Sequence, residues 1–347
     1  MTIHITPLNE HRRRVRTSRP LGRALVALAL ASLAGCQAAR ADEVRAIPTT
    51  APGEHADTAA ARVAPQPTSA ARESTPPTSS TPPATSTPRP ARPTERRDRL
   101  VAVNGARMHI SCGGAGSSTV VLIAGFESAS DSWSAVAPAL AERTRVCTYD
   151  RPGLGASEPA TATTAAFAAQ AGDLHALLTA AGEPGPYLVV GHSFGGLAAI
   201  EFADRFADEV DALVLVDASP IGWPRTLCSI ADDGTGAATF IRGMCAGWAD
   251  PSANAEHLDV FAAFADAATA PSLGSLPVAV ITAVDRQLPP DITDAERARL
   301  TDAWDEGQRR WAQLSAASRL TSVPDTGHLI QLDQPAAVIG EIERLLP

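Results

Sequence analysis

Residues 187–202 constrain this chain more than any other stretch. The apolar run Tyr187-Leu188-Val189-Val190 leads into Gly191-His192-Ser193-Phe194-Gly195, and Gly196-Leu197-Ala198-Ala199-Ile200-Glu201-Phe202 follows. The pattern predicts a buried strand, a sharp turn and a helix, with a serine at the apex. Such a turn strains the backbone at Ser193 and leaves room only for very small residues at 191 and 195. It lifts the hydroxyl clear of the sheet and aims it at the first turn of the helix, where backbone N–H groups can hold an oxyanion. An ordinary glycine-rich strand-to-helix turn would account for the glycines alone. The strand before and the helix after favour a nucleophilic serine.

The N-terminus carries a separate signal. Six arginines and a single acid, Glu10, give residues 1–35 a charge of +5, and the basic region ends at Arg23. The apolar run from Ala24 to Leu33 is too short to span a bilayer, which takes about 20 apolar residues. It meets Leu33-Ala34-Gly35-Cys36, which resembles the lipobox of bacterial lipoproteins. That resemblance implies a signal peptide over 1–35, lipidation of Cys36, and a protein exported and anchored in the cell membrane. A plain secretory signal with an incidental cysteine is the alternative. Residues 36–98 are rich in Pro, Thr, Ser, Ala and Arg and have few large apolar groups, so they are expected to form a disordered tether of about 45 Å mean reach. The net charge of −9 leaves −14 on the rest of the chain, which argues against a nucleic-acid partner.

From residue 99 the pattern changes to alternating strands and helices. Leu100 to Val103, a turn at Asn104-Gly105, and Arg107 to Cys112 predict a hairpin. Thr119 to Ala124, Arg145 to Tyr149, Tyr187 to Val190, Ala212 to Val216, Val278 to Ile281 and Arg319 to Val323 read as further strands. Helices are expected around Trp133 to Arg143, where Pro138 is a weak point, and over 164–181, 196–206 and 335–346. Strands alternating with helices predict a mostly parallel sheet covered on both faces.

Taken with the serine turn, Ala124-Gly125-Phe126, the run from Tyr149-Asp150-Arg151-Pro152-Gly153 to Ser157, and Thr326-Gly327-His328 near the end, the region 99–347 resembles the α/β-hydrolase superfamily. The resemblance implies an eight-stranded sheet with a helical cap inserted at 220–271. It also implies cleavage of a small or lipophilic carboxylic ester, or a thioester or lactone, through an acyl-serine. Ser193 is then the nucleophile and His328 the general base. The backbone N–H groups of Phe126 and Phe194 form the oxyanion hole. Two aspartates compete for the acid: Asp217, at the end of the strand before the cap, is favoured over Asp285, which lies one residue short of the family's usual spacing. Asp150 and Arg151 read as a loop-fixing ion pair or Asx turn, and His192 as structural. In the superfamily's sheet order Cys112 and Cys147 lie on neighbouring strands, so a disulfide and two buried thiols both stay open. Cys228 and Cys245 in the cap are a second candidate pair. No cysteine spacing suggests a metal site, and no cofactor is expected. The expected partners are a small-molecule substrate and, through Cys36, a membrane; the expected state is a monomer. A sensor or carrier that keeps the fold and captures a ligand under the cap is the rival reading.

Overall fold

The structure is a computed structural model, and it describes residues 96–163, 166–230, 234–267 and 272–347. The expected signal peptide, Cys36 and the tether up to residue 95 lie outside the described residues. Eight strands form one sheet: β1 (Arg97–Val103), β2 (Ala106–Gly113), β3 (Thr119–Ile123), β4 (Arg145–Tyr149), β5 (Tyr187–His192), β6 (Val210–Val216), β7 (Val278–Ala283) and β8 (Ser318–Val323). Their order across the sheet is β1-β2-β4-β3-β5-β6-β7-β8. The β1–β2 and β2–β4 pairs are antiparallel and every other pair is parallel. The hairpin turn is made by Asn104 and Gly105, both at positive φ, as an Asn-Gly pair allows.

The central strands are buried on both faces, which is why they read as unbroken apolar runs. Val121, Ile123, Val189, Leu213, Leu215 and Val280 face one core, beneath α2 (Phe167–Ala181) and α3 (Phe194–Arg205). Val120, Leu122, Val190, Val214, Val216 and Ile281 face the other, beneath α1 (Ala137–Ala141) and α9 (Pro335–Leu345). The helix expected from Trp133 to Arg143 is broken: Ser130–Trp133 forms a 3₁₀ turn, and α1 starts four residues later with Pro138 in its first turn. Proline has no N–H to give to a preceding turn, so it begins a helix rather than sitting inside one.

Between β6 and β7 the chain forms α4 (Trp223–Leu227), α5 (Gly236–Ala249) and α6 (Val260–Asp266). Between β7 and β8 runs α7 (Asp294–Trp311), an 18-residue helix that the sequence reading passed over. It opens on a complete capping box, with Thr293 and Glu296 exchanging side-chain and backbone bonds. A short α8 (Ile330–Asp333) precedes α9. Cys112 is the register partner of Cys147 across β2 and β4, and the two form a disulfide. A second disulfide joins Cys228, just beyond α4, to Cys245 in α5, 17 residues later. A crosslink closing a loop of that length contributes about 3 kcal/mol by restricting the unfolded chain. The Cys228→Ser/Cys245→Ser variant should therefore lose about that much stability in urea unfolding, with faster amide hydrogen exchange across α5.

Candidate active site

Ser193 occupies the apex between β5 and α3 at φ 54°, ψ −123°. The surrounding backbone explains the small neighbours. A Cβ on Gly191 would lie 2.4 Å from the Gly195 carbonyl oxygen, and one on Gly195 would lie 2.4 Å from that of Ala124. The serine's own backbone is fixed as well. Its N–H donates to Val216 O at 3.1 Å, and its carbonyl accepts from Gly196 N at 3.0 Å and Ser219 N at 3.1 Å. The hydroxyl is therefore presented by a strained but fully bonded turn.

His328, in the loop between β8 and α8, places Nε2 2.9 Å from Ser193 Oγ. Its Nδ1 lies 2.7 Å from Asp217 Oδ2. Asp217 follows β6, has φ 42° and is fully buried. Its other oxygen, Oδ1, accepts from Thr282 Oγ1 at 2.9 Å, Trp304 Nε1 at 3.0 Å and Ala283 N at 3.2 Å. Burial pushes the Asp217 carboxyl up, but the bond and charge of His328, the Trp304 indole and the Ala283 amide outweigh it and hold the group below its ordinary range. An ionised carboxylate can only accept, so Nδ1 of His328 carries the proton. In the neutral imidazole Nε2 is then the acceptor that faces the serine hydroxyl. The structure does not bring Asp285 to this place: its Oδ2 accepts from the Asp325 amide at 2.8 Å.

His192 is buried beside the pair, with its ring centroid 4.7 Å from that of His328 and its Nε2–H donating to the His328 carbonyl at 3.0 Å. Burial first, then the neighbouring His328, pushes its pKa down to about 3. The rings of Phe126 and Phe194 lie 5.1 Å apart. Ser219 Oγ lies 3.3 Å from Ser193 Oγ, a contact the sequence did not announce. All of these line a cavity of about 360 Å³. Trp223, Phe240, Met244 and Trp248 of the β6–β7 insertion form one wall, and Leu300, Thr301 and Trp304 of α7 form another. The Cys112 and Cys147 sulfurs lie close to Glu183, but they are bonded to each other and are not thiolate ligands.

A family described as "alpha/beta hydrolase fold" matches residues 118–231, from β3 through the serine turn to the start of the insertion. Among solved structures, a "putative lipase (lip1)" from Acinetobacter baumannii AYE is similar with a TM-score of 0.54 at 18% identity, covering 73% of this chain and 94% of that one. A membrane phospholipase A gives 0.51 at 18% identity, over 73% and 86%. The chain has the α/β-hydrolase fold. Sequence relatives include the "putative carbamate hydrolase RutD" of Caulobacter sp. (strain K31), 36% identical over 107 residues, which are 31% of this chain and 38% of that protein. A Schizosaccharomyces pombe protein is 38% identical over 90 residues, only 16% of its length. The chain thus spans well under half of the length of these curated relatives.

Within the α/β-hydrolase fold, the residues that sequence reasoning missed belong mainly to α7. Trp304 donates to Asp217 and stacks edge-on over His328, with centroids 5.3 Å apart at 87°. Gln308 and Trp311 both donate to the Ala218 carbonyl, at 2.7 and 3.3 Å, and so pin the chain just after Asp217. The capping box was the local signal that could have revealed this helix.

The low pKa of His192 has a consequence for stability. In the unfolded chain the group takes a proton near pH 6.5, and in the folded protein only near 3. Between those values the unfolded state binds one more proton, so acidification destabilises the fold by roughly 1.4 kcal/mol per pH unit from this group alone. Urea unfolding of His192→Asn between pH 4 and 6 should show a pH slope smaller by about that amount than the wild type.

Proposed function

We propose that this chain is an exported, membrane-tethered serine hydrolase that cleaves a neutral carboxylic ester, thioester or lactone of a small or lipophilic substrate. The observation that carries the reading is the continuous hydrogen-bonded series Asp217–His328–Ser193 opening on an aromatic cavity. Ser193 Oγ attacks the carbonyl carbon as His328 Nε2 takes its proton, while Asp217 holds the ring and stabilises the imidazolium. The developing oxyanion is held by the N–H groups of Phe126 and Phe194. His328 then gives its proton to the departing alcohol. A water molecule attacks the acyl-serine with the same histidine as base, releasing the acid. The predominantly apolar walls favour an uncharged acyl or alcohol group. The carbamate in the name of the RutD relative undergoes the same carbonyl chemistry, which makes a carbamate a natural member of a substrate panel.

Fluorophosphonate treatment should add one adduct, at Ser193, by intact-mass and peptide mass spectrometry, and Ser193→Ala should abolish both the adduct and p-nitrophenyl ester turnover. Asp217→Asn should reduce kcat by on the order of 10⁴, by analogy with loss of the tautomer-setting carboxylate in serine proteases. Asp285→Asn should leave it nearly unchanged. An adduct elsewhere, or tight capture of esters without turnover, would favour a ligand-binding protein instead.

The cellular placement rests on the basic region, the short apolar run and Leu33-Ala34-Gly35-Cys36. The two disulfides are consistent with an oxidising compartment. Cys36→Ala should release the protein from the membrane fraction; a variant that still sediments with membranes would show another anchor.

A further inference from the structure

Phe126 lies in the loop that leaves β3, and the backbone on both sides of it is held by one buried ion pair. Arg151, two residues beyond β4, and Glu256, in the β6–β7 insertion, are each 5% exposed. They meet in a two-pronged bridge, Nε to Oε2 at 2.6 Å and Nη2 to Oε1 at 3.0 Å. The guanidinium also donates to two consecutive carbonyls, from Nη1 to Ala124 O at 2.8 Å and from Nη2 to Gly125 O at 2.6 Å. On the far side of Phe126, the Glu127 amide donates to Glu256 Oε1 at 2.7 Å. The Gly125 carbonyl and the Phe126 N–H belong to the same planar trans peptide and so point in opposite directions. Arg151 Nη2, at 2.6 Å, and the Ser128 amide, at 3.1 Å, both grip that carbonyl and so aim that N–H, with the guanidinium the shorter and charged donor.

Glu256 is itself held firmly. Asn254 closes a short loop on Leu258, with its Oδ1 accepting from Leu258 N at 2.9 Å and its Nδ2 donating to Leu258 O at 3.0 Å. The Ala255 amide donates to Glu127 Oε1 at 3.2 Å, a second tie between the insertion and the β3 loop. Stability alone does not account for such a pair, because apolar residues of similar volume often replace a buried bridge without loss. The donors are spent instead on the peptides that flank one amide.

We propose that Arg151 and Glu256 are positioning residues for the oxyanion hole: Arg151 aims the Phe126 N–H through the Gly125 carbonyl, and the insertion supplies, in Glu256, the carboxylate that keeps Arg151 in place. The proposal rests on the serine-hydrolase reading. It makes the catalytic centre complete only when the 254–258 loop is seated against the β3 loop. A mis-aimed donor weakens binding of the tetrahedral transition state and leaves ground-state binding in the aromatic cavity intact.

The test uses the full chain, p-nitrophenyl butyrate as substrate and a trifluoromethyl ketone as transition-state analogue. Wild-type turnover and a Ser193 fluorophosphonate adduct come first; their failure removes the serine-hydrolase reading itself. Given both, Glu256→Gln should lower kcat by about 10- to 100-fold, below the loss expected from deleting an oxyanion donor outright. KM should stay within about threefold, the analogue's affinity should fall in parallel with kcat, and the pH profile of turnover should keep its shape. The paired variant Arg151→Met/Glu256→Leu separates positioning from stability. It leaves no buried charge unpaired, so its Tm should fall less than that of Arg151→Met alone, which strands the Glu256 carboxylate, yet kcat should remain low. Wild-type kcat in either variant overturns the proposal, as does a fall in kcat matched by an equal rise in KM. If the paired variant does not fold, Glu256→Gln, assayed well below its own Tm, decides by the same criteria.

Discussion

At residues 191–195 three stretches of backbone approach so closely that no side chain fits between them. Gly191 packs on the carbonyl of Gly195, and Gly195 packs on the carbonyl of Ala124. That contact joins the end of β5, the start of α3 and the exit of β3, and it forces the intervening residue to positive φ. It fixes where the serine hydroxyl emerges and, through Ala124, where the Phe126 loop begins. The groups around Ser193 are then placed by elements that converge on this point, because the parallel strands β3, β5, β6 and β7 all end on the same side of the sheet.

The second requirement is electrostatic. A carboxylate with no solvent contact needs donors for its lone pairs, or it takes a proton and ceases to orient an imidazole. Asp217 obtains them from β7, from α7 and from His328. None of these is local in sequence. Each arrives through packing of a separate element on the sheet, so the acid functions only in the assembled fold. Asp285, two residues beyond β7, accepts from the Asp325 amide instead.

That difference explains what could be read from the amino-acid order and what could not. The serine turn, its strand and its helix were legible because everything that defines them lies within about sixteen consecutive residues. The parallel strands were legible because burial on both faces leaves an unbroken apolar run. Helix α7 was harder to read: its surface is dense with Arg, Asp and Glu, and its buried residues, Leu300, Trp304, Gly307, Gln308 and Trp311, share one helical face but mix Gly and Gln with the apolar groups. With it went the Trp304 bond to Asp217 and one wall of the cavity. Arg151 was read as one half of a local ion pair or turn with Asp150, but its partner is Glu256, 105 residues away. Asp150 instead accepts from the amides of Ser130 and Ala156 and meets the ring of His109. No local pattern signals a bridge of that separation.

The two walls of the cavity do not have equal freedom to change over evolutionary time. On α5, Phe240, Ile241 and Met244 touch the cavity from a helix whose link to α4 is a covalent bond at Cys245, so the side chains between these fixed points can vary with little cost to the centre. On α7, Leu300 and Thr301 lie one turn from Trp304, whose indole bonds the acid and whose ring packs on His328. A change that shifts this helix to admit a larger substrate also shifts the carboxylate's donor. A change on the disulfide-tied wall can thus reshape the cavity without touching the Asp217–His328 pair, whereas the α7 wall cannot be reshaped on its own.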